Sequence, residues 1–553
     1  MTKLSRRKFL TYVGTGVAAI TVASSGITPL TGQAVASTKT TKKSNTKGKG
    51  LDFKAIEPSD KDELLLPKGY QYDVVAAYGD TINKQGDTFG FNNDLTVYFP
   101  IKDSSDHGLL WVNHEYSSDV FVTGPKNSDT YSKEQIEKIL YVQGGSIIEV
   151  KKEKGKWKMI TDSKYARRIT GLTPISLTGP AAGTHAVSGA KKVQGTFANC
   201  SGGKTLWNTV LTCEENFERT CEDASLNETH YGWVVEIDPF DSNFTVRKHT
   251  ALGRFHHENT AMGLSKDNRV VVYMGDDVKD ACVYKFISNG KYNEKDGTKN
   301  AKLLEDGTLY AANFAKGTWL PLTMESFEEK VNEMKEEGKL TEEDQALINK
   351  ITSLADILVH THEVAIFLGA TPTDRPEDVE IHPKDQTIYI AHTNNSDHGN
   401  IHGHITKIIE KEDDLGSPTF DFEIFAAGGR QSGFSAPDNL TFDDDGNLWT
   451  VTDISSSKLN KDAFQAFKNN GVFVIPTSGK DGGVAFQFAS APVEAELTGP
   501  FFTPNEKTLF LSVQHPGEET EDKNKPTSMW PHRKGDTIPR PAVVAITGFK
   551  GGK

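Results

Sequence analysis

Cysteine is scarce in this chain: four residues in 553, at positions 200, 213, 221 and 282. So few, so scattered, exclude a disulfide framework as the source of stability. Cys213 and Cys221 are spaced either for one bridge or for two free thiols. Long apolar runs are also missing. No segment after the N-terminal region approaches the roughly 20 apolar residues that a membrane-spanning helix needs. Basic charge is in deficit, with 62 Lys and Arg against 75 Asp and Glu and a formal net charge of −13. Nucleic acids require a basic surface, so this balance argues against them as partners. Absent too are the Gly-x-Ser-x-Gly elbow, the His-Glu-x-x-His helix, the phosphate-binding P-loop and the dinucleotide fingerprint, which disfavours a Ser/His/Asp hydrolase. Apolar residues reach only 36%, while Gly numbers 49 and Pro 23. That mixture favours a turn-rich β protein over a helical one.

What the chain does have is a repeated acidic unit. It reads HHENTAMGLSKDNRVVVYMGDD from His256, RPEDVEIHPKDQTIYIAHTNN from Arg375 and APDNLTFDDDGNLWTVTD from Ala436. Each places a carboxylate third: Glu258, Glu377 or Asp438. An alternating apolar run follows, then a polar turn, then a second run, which is a strand, a tight turn and a strand. Repetition of such hairpins predicts a β-propeller, with the leading acids at equivalent places in successive blades. Acids converging on one axis make a site for hard cations. A fourth unit, TGPFFTPNEKTLFLSVQHPG from Thr498, keeps the hairpin but has Gly499-Pro500 in place of the acid. The acids are therefore separable from the turn chemistry. Asp443-Asp444-Asp445-Gly446-Asn447 lacks the spacing of a calcium loop and reads as a hairpin turn.

The N-terminus carries SRRKFL (Ser5–Leu10), a weakly apolar stretch to about Ile27, and small residues at Ala34-Val35-Ala36. This predicts a twin-arginine signal peptide over 1–36, export by the twin-arginine machinery, and an extracellular, cell-surface or periplasmic location. Residues 37–50 read as a basic, flexible tether. Without the four basic residues of the leader, the net charge of the rest is −17. Ser132 to Gln135 form a capping-box signal for a helix. The stretch from about 323 to 358 has helical periodicity and i,i+4 charge pairs, with a break at Gly338, and predicts a helical insertion between blades. The remainder, 51–553, reads as one all-β propeller domain.

Several side chains carry candidate chemistry, each with a plainer alternative. Glu258 is a metal carboxylate, with a neighbouring histidine, His257, as ligand or supporting donor, or it is a salt-bridged strand start. Arg375 presents a planar fork to an anion while Glu377 binds a cation, or the two close a turn as an ion pair. Asp438 and Asn439 offer hard oxygens, or form an Asx-turn. Cys200, in a Gly-rich loop, is a soft ligand or a small buried residue. Strand alternation puts Asn113 and Glu115 on one face and His114 on the other, and lets only one of Glu214 and Glu215 face the axis. Asp94 adds an oxygen donor in an earlier blade, unless it is simply a polar strand end.

Together the motifs NHEY, NCSGGKTLWNTVLTCEEN, GRFHHEN, GATPTDRPEDVEIHP, APDNLTFDDDGNLWTVTD and TGPFFTPNEKTLFLSVQHPGE, behind a twin-arginine leader, resemble the PhoX-type alkaline phosphatase family. They run in order from about residue 60 to 520. The resemblance implies a six-bladed propeller whose axial site holds iron (Fe3+) and calcium (Ca2+) and hydrolyses phosphate monoesters. It implies Cys200 as the thiolate ligand of iron, Glu215, Glu258, Glu377 and Asp438 as metal carboxylates, and Arg375 as the phosphate holder. Two departures stand out: Thr205-Leu206-Trp207-Asn208 replaces Thr-Pro-Trp-Gly, and His256 replaces a Lys. The rival readings are another calcium propeller hydrolase of lactonase type, and a secreted binding propeller with structural calcium.

Overall fold

The structure, a computed structural model, describes residues 51–126 and 129–551. The leader and the tether read from the sequence lie outside the described residues. Six separate sheets are arranged as blades. In chain order their first strands are Asn93–Pro100, Asn199–Lys204, Ala261–Leu264, Pro376–Ile381, Pro437–Phe442 and Glu496–Phe502. These six strands touch one another in closed succession, the last returning to the first, so they form the wall of a central axis. Each hairpins into a second strand that lies one place further out.

Ring closure uses both chain ends. The early strand Gln71–Ala77 pairs antiparallel with Ala542–Thr547 and becomes the outer strand of the sixth blade. Without it, that blade would present an unpaired edge. The blades stack face to face, so their middle strands are buried on both sides. RVVVYMG (Arg269–Gly275) and TLFLSVQ (Thr508–Gln514) accordingly read as continuous runs of apolar and small residues, not as clean alternation. Leu95, Val97, Trp111, Ile175, Leu177 and Val235 fill the seam between blades one and two. A fully buried aliphatic or aromatic side chain contributes about 1.5–3 kcal/mol. Trp111 fits only because residue 145 is glycine, since a Cβ there would come within 2.2 Å of Trp111 Cζ2.

The helices sit outside the blades. Helix α1 (Lys133–Val142) starts at Ser132 with the capping box seen in the sequence: Gln135 N–H donates to Ser132 Oγ and Ser132 N–H to Gln135 Oε1. Helix α2 is Glu218–Ala224. The charged stretch after blade three forms α3 (Met324–Glu336), α4 (Glu342–Lys350), α5 (Leu354–Val359) and α6 (Thr361–Leu368). Gly338, with φ of 63°, separates α3 from α4. The insertion thus runs ten residues past the end read from its periodicity, to Leu368. The continuation THEVAIFL is apolar on most sides because it is sandwiched, and so lacks an amphipathic signal. Phe327, Val331, Ile357, Leu358, Val364 and Phe367 pack on the flank of blades two and three. Among the described residues no helix is long and apolar enough to cross a membrane.

Candidate metal centre and phosphate site

The axis wall is built from a recurring irregularity. In the first blade Asn93 faces His114 and the next pair is Thr96 with Val112, so one extra residue is bulged out. The same shift follows Asn199, Pro376, Pro437 and Thr498, and the bridge from His257 to Asp276 marks it in blade three. The residue opening each bulge is, in turn, Asp94, Cys200, Glu258, Glu377, Asp438 and Gly499. Bulges re-aim side chains, and here five of the six point a carboxylate or thiol at the axis. Two positions earlier, Asn92, Ala198, Arg375 and Ala436 adopt φ of 43–55°, a left-handed conformation unusual for residues with a Cβ. The sharp turn into the wall strand is therefore also repeated, in four of the six blades.

A second tier comes from the partner strands. The residue following the partner of each pre-bulge position is Glu115, Glu215, Asp277, Thr393, Asp453 and Val513. Blade six offers no donor in either tier. It supplies Glu496 instead, from the start of its wall strand, opposite Gln514.

These groups enclose one pocket of about 420 Å³, lined by Asp94, Glu115, Cys200, Glu215, Glu258, Arg375, Glu377 and Asp438, and also by Asp277, Asp453 and Glu496. The first eight were candidates in the sequence; the further candidates His257 and Asn439 do not line it. Three groups have ligand atoms within 4.8 Å of one another: Asp94, Glu115 and Cys200; Cys200, Glu215 and Glu258; and Glu258, Asp277 and Glu377. Cys200 and Glu258 are each shared by two groups. Cys200 Sγ lies 3.4 Å from Glu258 Oε1 and 3.7 Å from Asp94 Oδ2.

Eight of these carboxylates are nearly shut off from solvent, and the electrostatics reflect it. Burial, then the neighbouring acids, push Asp94, Glu215, Glu258, Glu377 and Glu496 well above the usual carboxylate range. Burial raises Glu115 and Asp438 to about 7, and burial followed by Asp94 and Glu258 raises the Cys200 thiol. Arg375 offsets a part of the charge. Its Nη2 is 2.6 Å from Asp277 Oδ2 and 2.9 Å from Glu377 Oε1. Burial works against its charge, but Asp277 and Glu377 hold its pKa above the ordinary value. One guanidinium does not balance so many acids. Asp94 Oδ1, Glu258 Oε2 and Asp277 Oδ1 are buried without a hydrogen-bond partner. Unpaired buried carboxylate oxygens are costly, and cations satisfy them directly. The donor set thus fits bound metal.

Other sequence expectations resolve less simply. His257 is not a ligand: its Nε2 meets Gly253 O at 2.8 Å and its ring stacks on Phe255, outside the pocket. The bulge turns Glu258 inward and its neighbour away. Glu214 faces the blade, 2.6 Å from Lys248 Nζ, leaving Glu215 on the axis. His114 likewise faces away, 2.7 Å from Ser146 Oγ, while Asn113 Nδ2 donates to the carbonyls of Cys200 and Ser201. Among the described residues there is no disulfide, so no bridge joins Cys213 in its strand to Cys221 in α2. Asn208 takes φ of 67°, the conformation a glycine would adopt in that loop. His256 lies 2.8 Å from Glu218 Oε1. Burial opposes its charge, but Asp276 and Glu218 raise its pKa to about 10, so it keeps the positive charge that the expected Lys would bring. Asp277 and Asp453 were overlooked, although they close the quoted motifs as MGDD and VTD. Aligning second strands on NHE and TCEE would have found them. Glu496 falls outside the repeat and has no such signal.

Residues 51–517 match the profile of the family Alkaline phosphatase PhoX. The chain belongs to this family. PhoX from Pseudomonas fluorescens, solved in complex with vanadate, a transition state analogue, is 32% identical to it, with a TM-score of 0.80 over 90% of this chain and 97% of that one. A gluconolactonase from Xanthomonas campestris aligns at 10% identity and a TM-score of 0.32 over 83% of this chain and 96% of that one. No curated protein matches. The chain is therefore a phosphatase of the PhoX family on an all-β propeller, and its family is metal-dependent.

Proposed function

We propose that the axial pocket hydrolyses phosphate monoesters using iron and calcium, and that the protein is exported by the twin-arginine route. The observation that carries the reading is the convergence of Cys200, a ring of buried carboxylates and a single guanidinium, Arg375, in one pocket. Cys200 is the soft donor for iron. Glu215, Glu258, Asp94 and Glu115 surround it, and Asp277, Glu377, Asp438 and Glu496 supply oxygens suited to calcium. Such cations contribute Lewis-acid charge at the phosphoryl group and acidify water.

The chain's own part is positioning. Arg375 meets Asp277 and Glu377 through Nη2. Its remaining N–H donors are those that would hold the non-bridging oxygens of the ester. Thr393 Oγ1 donates to Glu377 Oε1 at 2.7 Å and Gln514 Nε2 to Glu115 Oε2 at 2.7 Å. These bonds fix the carboxylates before substrate arrives, which is where preorganised electrostatic catalysis draws its advantage. Burial of the wall limits competing water around the phosphoryl group. Purified protein supplied with both metals should release phosphate from p-nitrophenyl phosphate, and Arg375→Ala should raise KM by on the order of a hundredfold. Absence of turnover in the metal-loaded protein would contradict the proposal.

A further inference from the structure

Among the described residues Arg375 is the only Lys or Arg on the pocket wall. Its φ of 55° is uncommon for a residue with a Cβ and is shared by Asn92, Ala198 and Ala436 at the same place in other blades. In this blade the residue before it adds an anchor of its own. Asp374 is completely buried. Its Oδ1 lies 2.6 Å from His398 Nδ1, and its Oδ2 accepts from Asn400 Nδ2 at 2.9 Å. The other ring nitrogen, His398 Nε2, lies 2.9 Å from Asp280 Oδ1 on the loop between the second and third strands of blade three. Asn400 Oδ1 accepts from Gly403 N–H at 3.0 Å, tying the same carboxylate to the next strand. On the far side, Arg375 O accepts from Thr393 N–H. Asp374, His398 and Asn400 do not line the pocket and belong to none of its cation groups. They are buried or half-buried polar groups that the chemistry does not use.

We propose that His398 and Asn400, acting through Asp374, are positioning residues for the Arg375 guanidinium and set the angle at which it meets phosphate. The inference rests on the reading of Arg375 as the phosphate-holding group. Small misplacements of such a group cost large factors in rate. The test is a mutant cycle read as KM for p-nitrophenyl phosphate and as inhibition by inorganic phosphate, on metal-loaded protein whose metal content is measured alongside. His398→Ala should weaken both by roughly tenfold with metal content unchanged, and His398→Gln, which keeps one donor for Asp374, should recover part of the loss. In an Arg375→Ala background, His398→Ala should cost nothing further. Wild-type phosphate binding in His398→Ala, or a full tenfold additional loss in the double variant, would overturn the inference while leaving Arg375's role intact. Wild-type phosphate binding in Arg375→Ala would overturn both. If His398→Ala does not fold, Asn400→Ser removes one donor only and carries the same cycle.

Discussion

Glu258 has no exposed surface, shares a cation group with Cys200 and Glu215 on one side and another with Asp277 and Glu377 on the other, and keeps one oxygen unpaired. A residue in that position ties neighbouring ions together. Glu258→Ala or Glu377→Ala should therefore reduce phosphate release by at least about a hundredfold, corresponding to several kcal/mol of transition-state stabilisation. The fold should persist, because removing one of several mutually repelling acids does not open the core. A near-normal rate in either purified variant would count against their role. Titration provides a second check. Burial holds Glu115 and Asp438 at about 7, and burial with the neighbouring acids raises Glu258 well above the usual carboxylate range. A carboxylate whose pKa is raised on folding adds stability while protonated, and that stability is lost as pH climbs from the unfolded value near 4 through the folded one. Chelated protein should thus show a melting temperature that falls between about pH 4 and 7 and continues downward. With calcium present the trend should flatten, since the ionised form is the one that binds metal. Parallel curves with and without calcium would mean that the acids do not hold cations.

The element that makes the site is the bulged wall strand. Glu258, Glu377 and Asp438 were legible because acid, apolar run and turn recur at one spacing, Cys200 because its loop lies in a recognisable motif, and Asp94 only as an oxygen donor in an earlier strand. The sixth blade was legible only as a break. Gly499 occupies the bulge position there, with φ of 53°, and a Cβ would come 2.5 Å from Thr96 N and 2.6 Å from Leu95 Cα. No acid can stand at 499, so the blade's carboxylate comes from Glu496, in a different register, and the repeat gives no sign of it. Gly499→Ala should lower stability by about 1–3 kcal/mol through strain and through the clash at the seam with blade one. Asp94 sits in that seam, so activity should fall with it. An unchanged melting temperature would show that the seam can relax. The end of the helical insertion escaped notice for a related reason: a sandwiched helix such as α6 is apolar on most sides and carries no periodic signature.

At the scale of the molecule, six blades gather side chains that lie more than four hundred residues apart, from Asp94 to Glu496, around one axis. The number of blades was implied by the family resemblance; the manner of closure could not be anticipated, because Gln71–Ala77 reads as an ordinary strand and nothing in its sequence names its partner. The ring holds only while that strand pairs with Ala542–Thr547. A protein starting after residue 77 should expose the edge of the last blade and lose its monodisperse profile on size-exclusion chromatography. A stable, active truncated species would refute that account of closure. The central claim is that this closed ring exists to grip cations that handle phosphate. The measurement that meets it most directly is elemental analysis of protein purified without chelator, taken on the same sample as p-nitrophenyl phosphate turnover before and after metal removal. The account predicts iron and calcium together, loss of turnover when they are stripped, and recovery when they are returned. Full turnover by protein free of both metals would contradict it.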